Sequence, residues 1–209
     1  MRRRRNRFRE QRFRRKKKQM RLDFARKGSG QWNKELVRSV LTWAAEILLV
    51  IALAGVLVFC FGTRVTMSGS SMAGTLDNKD TVLVNRVIYK LIAPKANDII
   101  VFLPNGNQKS HYYIKRVIAV PGDTVQIIDG TVYVNEEVFD EQIENPTVSD
   151  ALLAEEPVTV GEDEYFVLGD NRDSSEDSRY ANIGNVKSKD ILGKAWFVVS
   201  PLKKFGTVK

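Results

Sequence analysis

One cysteine and one histidine are the scarcest chemistry in this chain of 209 residues. Cys60 alone cannot close an internal disulfide, so whatever folds here must hold together by packing. With His111 as the sole imidazole there is no HExxH pair, and only scattered carboxylates remain to hold a metal. No metal centre and no cofactor is expected. A Ser-His-Asp triad must use His111 or not exist, and a lone histidine is more often a surface or structural residue. A uniformly basic surface is missing too. The net charge is +8, but residues 1–38 carry 17 Lys/Arg against three acids (Glu10, Asp23, Glu35), whereas residues 39–209 carry 16 against 22. The basic character belongs to a tail, and specific nucleic-acid binding is not expected.

A long apolar run separates the two halves. Val40–Phe61 reads VLTWAAEILLVIALAGVLVFCF, 22 residues with one charge, Glu46. At about 1.5 Å per residue it spans roughly 33 Å as a helix, enough for a bilayer core of about 30 Å. From Ile47 to Phe61 only the thiol of Cys60 interrupts the apolar side chains. A soluble core helix would show a polar face. A cleaved secretory signal would have a short basic lead and a small-residue cut site. Here the lead is 39 residues and Phe59-Cys60-Phe61 is a poor cut site. The expected organisation is a basic cytoplasmic tail at 1–39, a transmembrane helix at 40–62 and an extracytoplasmic domain at 63–209, oriented by the positive-inside rule. The tail, RRRRNRFREQRFRRKKK and onward, suits anionic lipid headgroups.

Beyond the run the pattern shifts to short segments rich in β-branched residues. Thr81–Asn85, Asp98–Leu103, Tyr112–Val120, Tyr165–Leu168 and Ala195–Val199 read as strands. Thr124–Ile128 and Thr131–Asn135 flank Asp129-Gly130, a hairpin turn. Val87–Ile92 looks helical for a turn or two. Residues 136–163 are acidic and loop-like, with a short helix expected near Ser149–Glu155. The fold class is mainly β: one N-terminal transmembrane helix followed by an all-β domain.

Three polar clusters interrupt this apolar background: Ser68-Gly-Ser-Ser-Met72, His111-Tyr-Tyr-Ile-Lys-Arg116 and Val167-Leu-Gly-Asp-Asn-Arg-Asp-Ser-Ser-Glu-Asp-Ser-Arg179. The last follows an apolar strand directly with six ionic side chains, which must bond one another or line a site. A serine hydroxyl needs a base to become a nucleophile. Lysine serves if burial lowers its pKa to about 7–8. In an extended strand Lys115 shares a face with Tyr113, Val117 and Ala119, and Val120-Pro-Gly-Asp123 then ends the strand. Ser68, Ser70 and Ser71 are the nucleophile candidates, with Met72 and Leu76 as apolar hooks for their loop.

These residues resemble the type I signal peptidases (leader peptidases) of the Gram-positive kind, over about Val65 to Gly206. Ser71-Met-Ala-Gly-Thr-Leu76 is similar to the family's nucleophile box, Ser-Met-x-Pro-Thr-Leu. Pro94-Lys-Ala-Asn-Asp-Ile-Ile-Val-Phe102 resembles the strand box that follows. Tyr113 to Asp123 resembles the lysine box, Gly169 to Arg179 the most distinctive one, and Gly193-Lys-Ala-Trp-Phe197 with Pro201-Leu202 also fits. The resemblance implies a membrane-anchored serine endopeptidase that cleaves signal peptides from exported preproteins, in the plasma membrane of a bacterium. Its implied partners are signal peptides, the phospholipid bilayer and secretion machinery.

By position, the resemblance makes Ser71 the nucleophile and Lys115 the general base. It makes Ser175 the group that orients the amine, and the Ser71 backbone N–H one oxyanion donor. Asp177 is expected to pair with Arg179, with Arg116 as a second candidate, and Asp170 and Arg172 to be structural members of the same network. The second oxyanion donor is open: some members use a hydroxyl two residues before the nucleophile, where Gly69 stands here, and Ser70 is an alternative. Gly74 replaces the family's proline and Asn97 stands where glycine is common, so the Ser71 loop is expected to be less preorganised. Two other readings fit the residues: a catalytically impaired membrane-tethered homologue that binds signal peptides, and a Ser-Lys protease specialised for pilin-like or surface proteins.

Overall fold

Unbroken apolar sequence without a polar face forms the first element of the computed structural model, which describes residues 34–141, 143–144 and 146–208. Helix α1, Lys34–Phe61, runs 28 residues and buries none of its side chains. Its apolar stretch has a mean hydropathy of 2.7, and by length and composition it can cross a membrane. The helix begins before the apolar run does, because Lys34 to Ser39 continue the same backbone. The basic tail expected to lie on headgroups falls, up to residue 33, outside the described residues. The chain divides into two compact units, Met1–Leu53 and Ala54–Lys209.

Among its described residues the second unit has twelve strands: β1 Thr63–Thr66, β2 Thr81–Asn85, β3 Ile99–Phe102, β4 Tyr113–Ala119, β5 Thr124–Ile128, β6 Thr131–Val134, β7 Glu137–Val138, β8 Val158–Thr159, β9 Glu164–Leu168, β10 Val186–Lys187, β11 Ile191–Ser200 and β12 Gly206–Thr207. Among the described residues every strand pairing is antiparallel. The larger sheet has the order β1-β2-β11-β3-β4-β9-β10 with β12 on β11, and the smaller has β7-β6-β5-β8. This is the mainly β architecture expected from the short β-branched runs. The one helical turn expected at Val87–Ile92 is α2, Ile88–Leu91.

The acidic excursion is less of a loop than its composition suggests. Glu137–Val138 and Val158–Thr159 add strands to either side of the hairpin sheet, and the expected helix is a 3-10 turn at Leu152–Glu155. Two-residue strands carry too short a pattern to be read from sequence. Val148, Ala154 and Val160 from this segment are buried with Val125, Ile127 and Phe166, so it closes a core rather than leaving it.

The core that matters for function lies under the Ser71 loop. Met72 and Leu76 are fully buried among Val65, Val82, Val84, Ile99, Val101 and Ile114. Burying two such side chains stabilises their placement by roughly 1.5–3 kcal/mol each. Their burial fixes a loop whose other residues, Ser68 to Ser70, are exposed.

Candidate active site

Strand β4 carries the central cation. Lys115 pairs with Ile100 on β3 and is 2% exposed. Among the described residues it is the only buried lysine. Tyr113, two residues earlier on the same face, holds its ring 5.6 Å from the Lys115 Nζ. Burial pushes the Lys115 ammonium down from its usual 10.5 to about 8. The carboxylates of Asp177, Glu176 and Asp170 oppose that fall, and the Arg179 guanidinium assists it.

What the amine touches decides its use. Lys115 Nζ donates to Ser175 Oγ at 3.0 Å. Ser175 Oγ donates its single proton to Asp177 Oδ2 at 2.6 Å. The serine oxygen is therefore committed as an acceptor toward the lysine, and it draws an N–H of the amine to itself. Asp177 is fully buried and tied down in turn. It accepts from Arg179 Nε at 2.8 Å, from Arg179 Nη2 at 3.0 Å and from the Gly169 N–H at 3.1 Å.

The neighbouring cation is handled differently. Arg116 forks onto Asp170, Nε to Oδ1 at 2.8 Å and Nη2 to Oδ2 at 2.7 Å. Its salt-bridge partner is Asp170 rather than the Asp177 named as a candidate from the sequence, because Asp170 directly follows the glycine where β9 leaves the sheet. Arg116 Nη1 also donates to the Asn97 carbonyl at 3.2 Å. Asn97 sits at φ +69, a left-handed conformation that asparagine tolerates better than most residues, which is how it serves where glycine is common. Arg172 grips Glu141, donates to the Gly169 carbonyl at 3.1 Å and reaches the Pro146 carbonyl at 2.8 Å.

Ser71 is joined to this network through its backbone. The Asn171 N–H donates to the Ser71 carbonyl at 3.1 Å, and Asn171 Nδ2 donates to the Ser70 carbonyl at 3.0 Å. Thr75 Oγ1 donates to Asp170 Oδ2 at 2.5 Å, tying the other end of the loop to the Arg116 pair. Gly169 lies between the loop and the lysine's partner. A Cβ there would sit 2.1 Å from Ser175 Oγ and 2.4 Å from the Ser71 carbonyl oxygen, so only glycine lets the two approach. Among the described residues the Ser71 amide and hydroxyl form no hydrogen bond within the protein, and the side chain is half-buried. Ser70 and His111 are exposed.

Gly74 is not a loosened proline. It adopts φ +102, where proline's ring cannot go, and a Cβ there would meet nothing within 4 Å. The turn is instead closed by Thr75 and Leu76, whose N–H groups both donate to the Met72 carbonyl at 3.1 and 2.7 Å. Asp170, Arg172, Asp177 and Arg179 are legible in the sequence as a crowded polar segment, whereas nothing local marks Gly169, Asn171, Thr75 or Glu141. Asn171 and Thr75 act through contacts about a hundred residues apart in sequence, which no local pattern encodes.

An orientated, partly deprotonable amine on a buried strand, with a serine on an adjoining pinned turn whose hydroxyl has no hydrogen bond among the described residues, is an arrangement able to support acyl transfer by a hydroxyl nucleophile. Comparison with known proteins narrows that class. The model of the family described as signal peptidase, peptidase S26, matches residues 40–200. Signal peptidase I P of Bacillus subtilis subsp. natto is 32% identical over 82% of this chain and 95% of its own length. A probable signal peptidase I-2 of Synechocystis is 35% identical over 77% of this chain and 72% of its own. A crystal structure of a signal peptidase I from Enterococcus faecalis is 33% identical, covering 48% of this chain and 95% of that one, with a TM-score of 0.37. The chain belongs to the signal peptidase family, peptidase S26, and is a serine peptidase.

Proposed function

We propose that this protein is a membrane-anchored endopeptidase that removes signal peptides from exported preproteins, with Ser71 as nucleophile and Lys115 as general base. The observation that carries this reading is the bonding of the buried amine. Among the described residues Lys115 forms no ion pair with a carboxylate; its amine donates to a hydroxyl whose proton is spent on Asp177. With a pKa of about 8, a useful fraction of the amine is neutral near physiological pH.

The chemistry follows from those positions. The substrate segment before the scissile bond lies extended along β4. The β4–β9 ladder begins at Arg116 opposite Leu168, so Tyr113–Lys115 has an unpaired edge on that side among the described residues. A substrate strand added there gains main-chain hydrogen bonds. Lys115 Nζ accepts the Ser71 hydroxyl proton as Ser71 Oγ bonds to the carbonyl carbon. The ammonium returns that proton to the leaving amine as the C–N bond breaks, and the mature chain departs. Lys115 then takes a proton from water, whose oxygen attacks the acyl ester; the ammonium returns that proton to Ser71 Oγ as the ester C–O bond breaks, and the signal peptide leaves as an acid that ionises in water. The Ser71 N–H, which has no partner among the described residues, supports the role of oxyanion donor.

Helix α1 supplies the anchor, with residues 1–39 cytoplasmic, 40–62 spanning and 63–209 across the membrane. Nine residues separate the end of α1 from Ser71. A substrate that is itself a membrane helix thus meets the enzyme in two dimensions, which raises effective concentration. The test uses the full chain in vesicles with a preprotein. Cleavage at one site by the wild type, abolished in Ser71→Ala and in Lys115→Ala, is expected. Undiminished cleavage by Lys115→Ala would end the dyad assignment, and a wild type that binds without cutting would favour a signal-peptide-binding role. His111→Ala is expected to remain active, since His111 is exposed.

A further inference from the structure

Glu176 follows the serine that holds the lysine, and it is exposed. Exposed glutamates usually wander, but both oxygens of this one are held. Tyr113 Oη donates to Oε2 at 3.1 Å, and Asn182 Nδ2 donates to Oε1 at 2.5 Å. The tyrosine so gripped is the one whose ring lies 5.6 Å from Lys115 Nζ, and the same ring packs at a tilt against Phe102 with 6.0 Å between centroids. A chain of contacts thus runs from a surface carboxylate through an aromatic ring to the amine.

The charge of Glu176 is also singular. The charged groups acting on Lys115 are Asp177, Glu176, Arg179 and Asp170, and its own strand carries two further titratable groups, Tyr113 and Arg116. Asp177 is paired with Arg179 and Asp170 with Arg116. Glu176 has no ion pair among the described residues. Two of the three carboxylates near the amine are neutralised locally, and the field of the third is not.

We propose that Glu176 is a positioning residue for Lys115: it fixes Tyr113 beside the amine, and its unpaired charge sets the pH at which the amine gives up its proton. The inference rests on Lys115 being the general base. A negative charge favours the ammonium, so Glu176 works against burial and holds the amine protonated to higher pH than burial alone would. Being exposed, it is open to screening by salt, unlike the buried Asp177.

The experiment is the pH dependence of kcat/KM for preprotein cleavage in wild type, Glu176→Gln and Tyr113→Phe. The acidic limb reports the base of the free enzyme. In Glu176→Gln that limb moves to lower pH by about half a unit, the size of one exposed charge. In Tyr113→Phe the carboxylate keeps its charge but loses its tether, so the limb moves the same way and less far. Raising the salt moves the wild-type limb toward that of Glu176→Gln. A Glu176→Gln limb that lies on the wild-type one, or above it, overturns the proposal. Should that variant not fold, an unmoved Tyr113→Phe limb together with a salt-independent wild-type limb does the same. Ser71→Ala and Lys115→Ala separate the two levels. If both are inert while the Glu176→Gln limb is unmoved, only the role of Glu176 falls; if Lys115→Ala stays active, the base assignment falls first.

Discussion

Lys115 and Arg116 are consecutive residues of β4, each 2% exposed, and they are put to opposite uses. Arg116 meets a carboxylate with two parallel N–H bonds, the arrangement in which a guanidinium serves as a fixed cation. Lys115 meets a hydroxyl and an aromatic ring and forms no ion pair among the described residues, so the carboxylates that favour its ammonium through space do not offset its burial. The difference teaches that burial alone does not make a catalytic base. Two cations removed from water to the same degree diverge because one is given a counter-charge and the other only an acceptor.

The sharpest way to break that comparison is to make the two residues alike. Lys115→Arg places a permanent cation where the proton acceptor stands. Cleavage is expected to fall by roughly 10³-fold or more at every pH, with no alkaline recovery, since a lost general base accounts for roughly 10²–10⁴-fold and the larger side chain also crowds the site. A rate-against-pH curve that still rises through pH 8 in this variant would remove Lys115 from the mechanism. Next in size is the removal of the counter-charge from Arg116. Asp170→Ala removes the carboxylate onto which the buried Arg116 guanidinium forks and also frees Thr75 Oγ1, so it is expected to destabilise the fold by about 3–5 kcal/mol. Thermal unfolding checks it, and a loss below about 1 kcal/mol would mean that the pair is not needed.

The contrast also explains what could be read from the chain beforehand. The apolar run, the hairpin at Asp129-Gly130, the strands around β4 and the lysine's face were visible because each is a local period or turn signal. Ser71, Lys115 and the ionic residues stood out because polar groups crowd where an apolar strand ends. The partner of Arg116 was not legible. Asp170 and Asp177 are chemically equivalent on paper, and only the departure of the chain at Gly169 decides which carboxylate reaches which cation. The backbone of Gly74 was hidden for a similar reason: glycine's sequence letter says that φ is free, not that it is +102.

A third variant turns the lysine's lack of a counter-charge into a stability measurement. Below pH 8 the folded protein holds a buried ammonium that the unfolded chain leaves in water, and this opposes folding. Between the folded pKa of about 8 and the ordinary 10.5, the unfolded chain binds the extra proton, so stability rises with pH. Lys115→Met leaves Ser175 bonded to Asp177 and removes the penalty. The variant is expected to be inactive yet more stable than wild type below pH 8. Its advantage should shrink by about 3 kcal/mol as the pH approaches 10.5. Denaturant midpoints at pH 7 and 10 read this directly, and a difference between the two proteins that does not change with pH would mean that the amine is solvated.

Ser175→Ala is expected to have the smallest of these effects, and it isolates orientation from charge. The hydroxyl accepts an N–H from the amine, so it steadies the ammonium and also directs the remaining positions on nitrogen. Its loss lowers the Lys115 pKa further, which by itself would supply more neutral base at a given pH. A rate set only by the amount of neutral amine would therefore rise at pH 7. The expected result is the reverse, a fall in kcat of roughly 10²-fold, because a misdirected lone pair costs more than a larger neutral fraction returns. The acidic limb of the residual activity should move to lower pH while its plateau drops. Those two movements together distinguish a serine that aims the lysine from one that merely fills space beside Asp177, for which the limb would stay where it is.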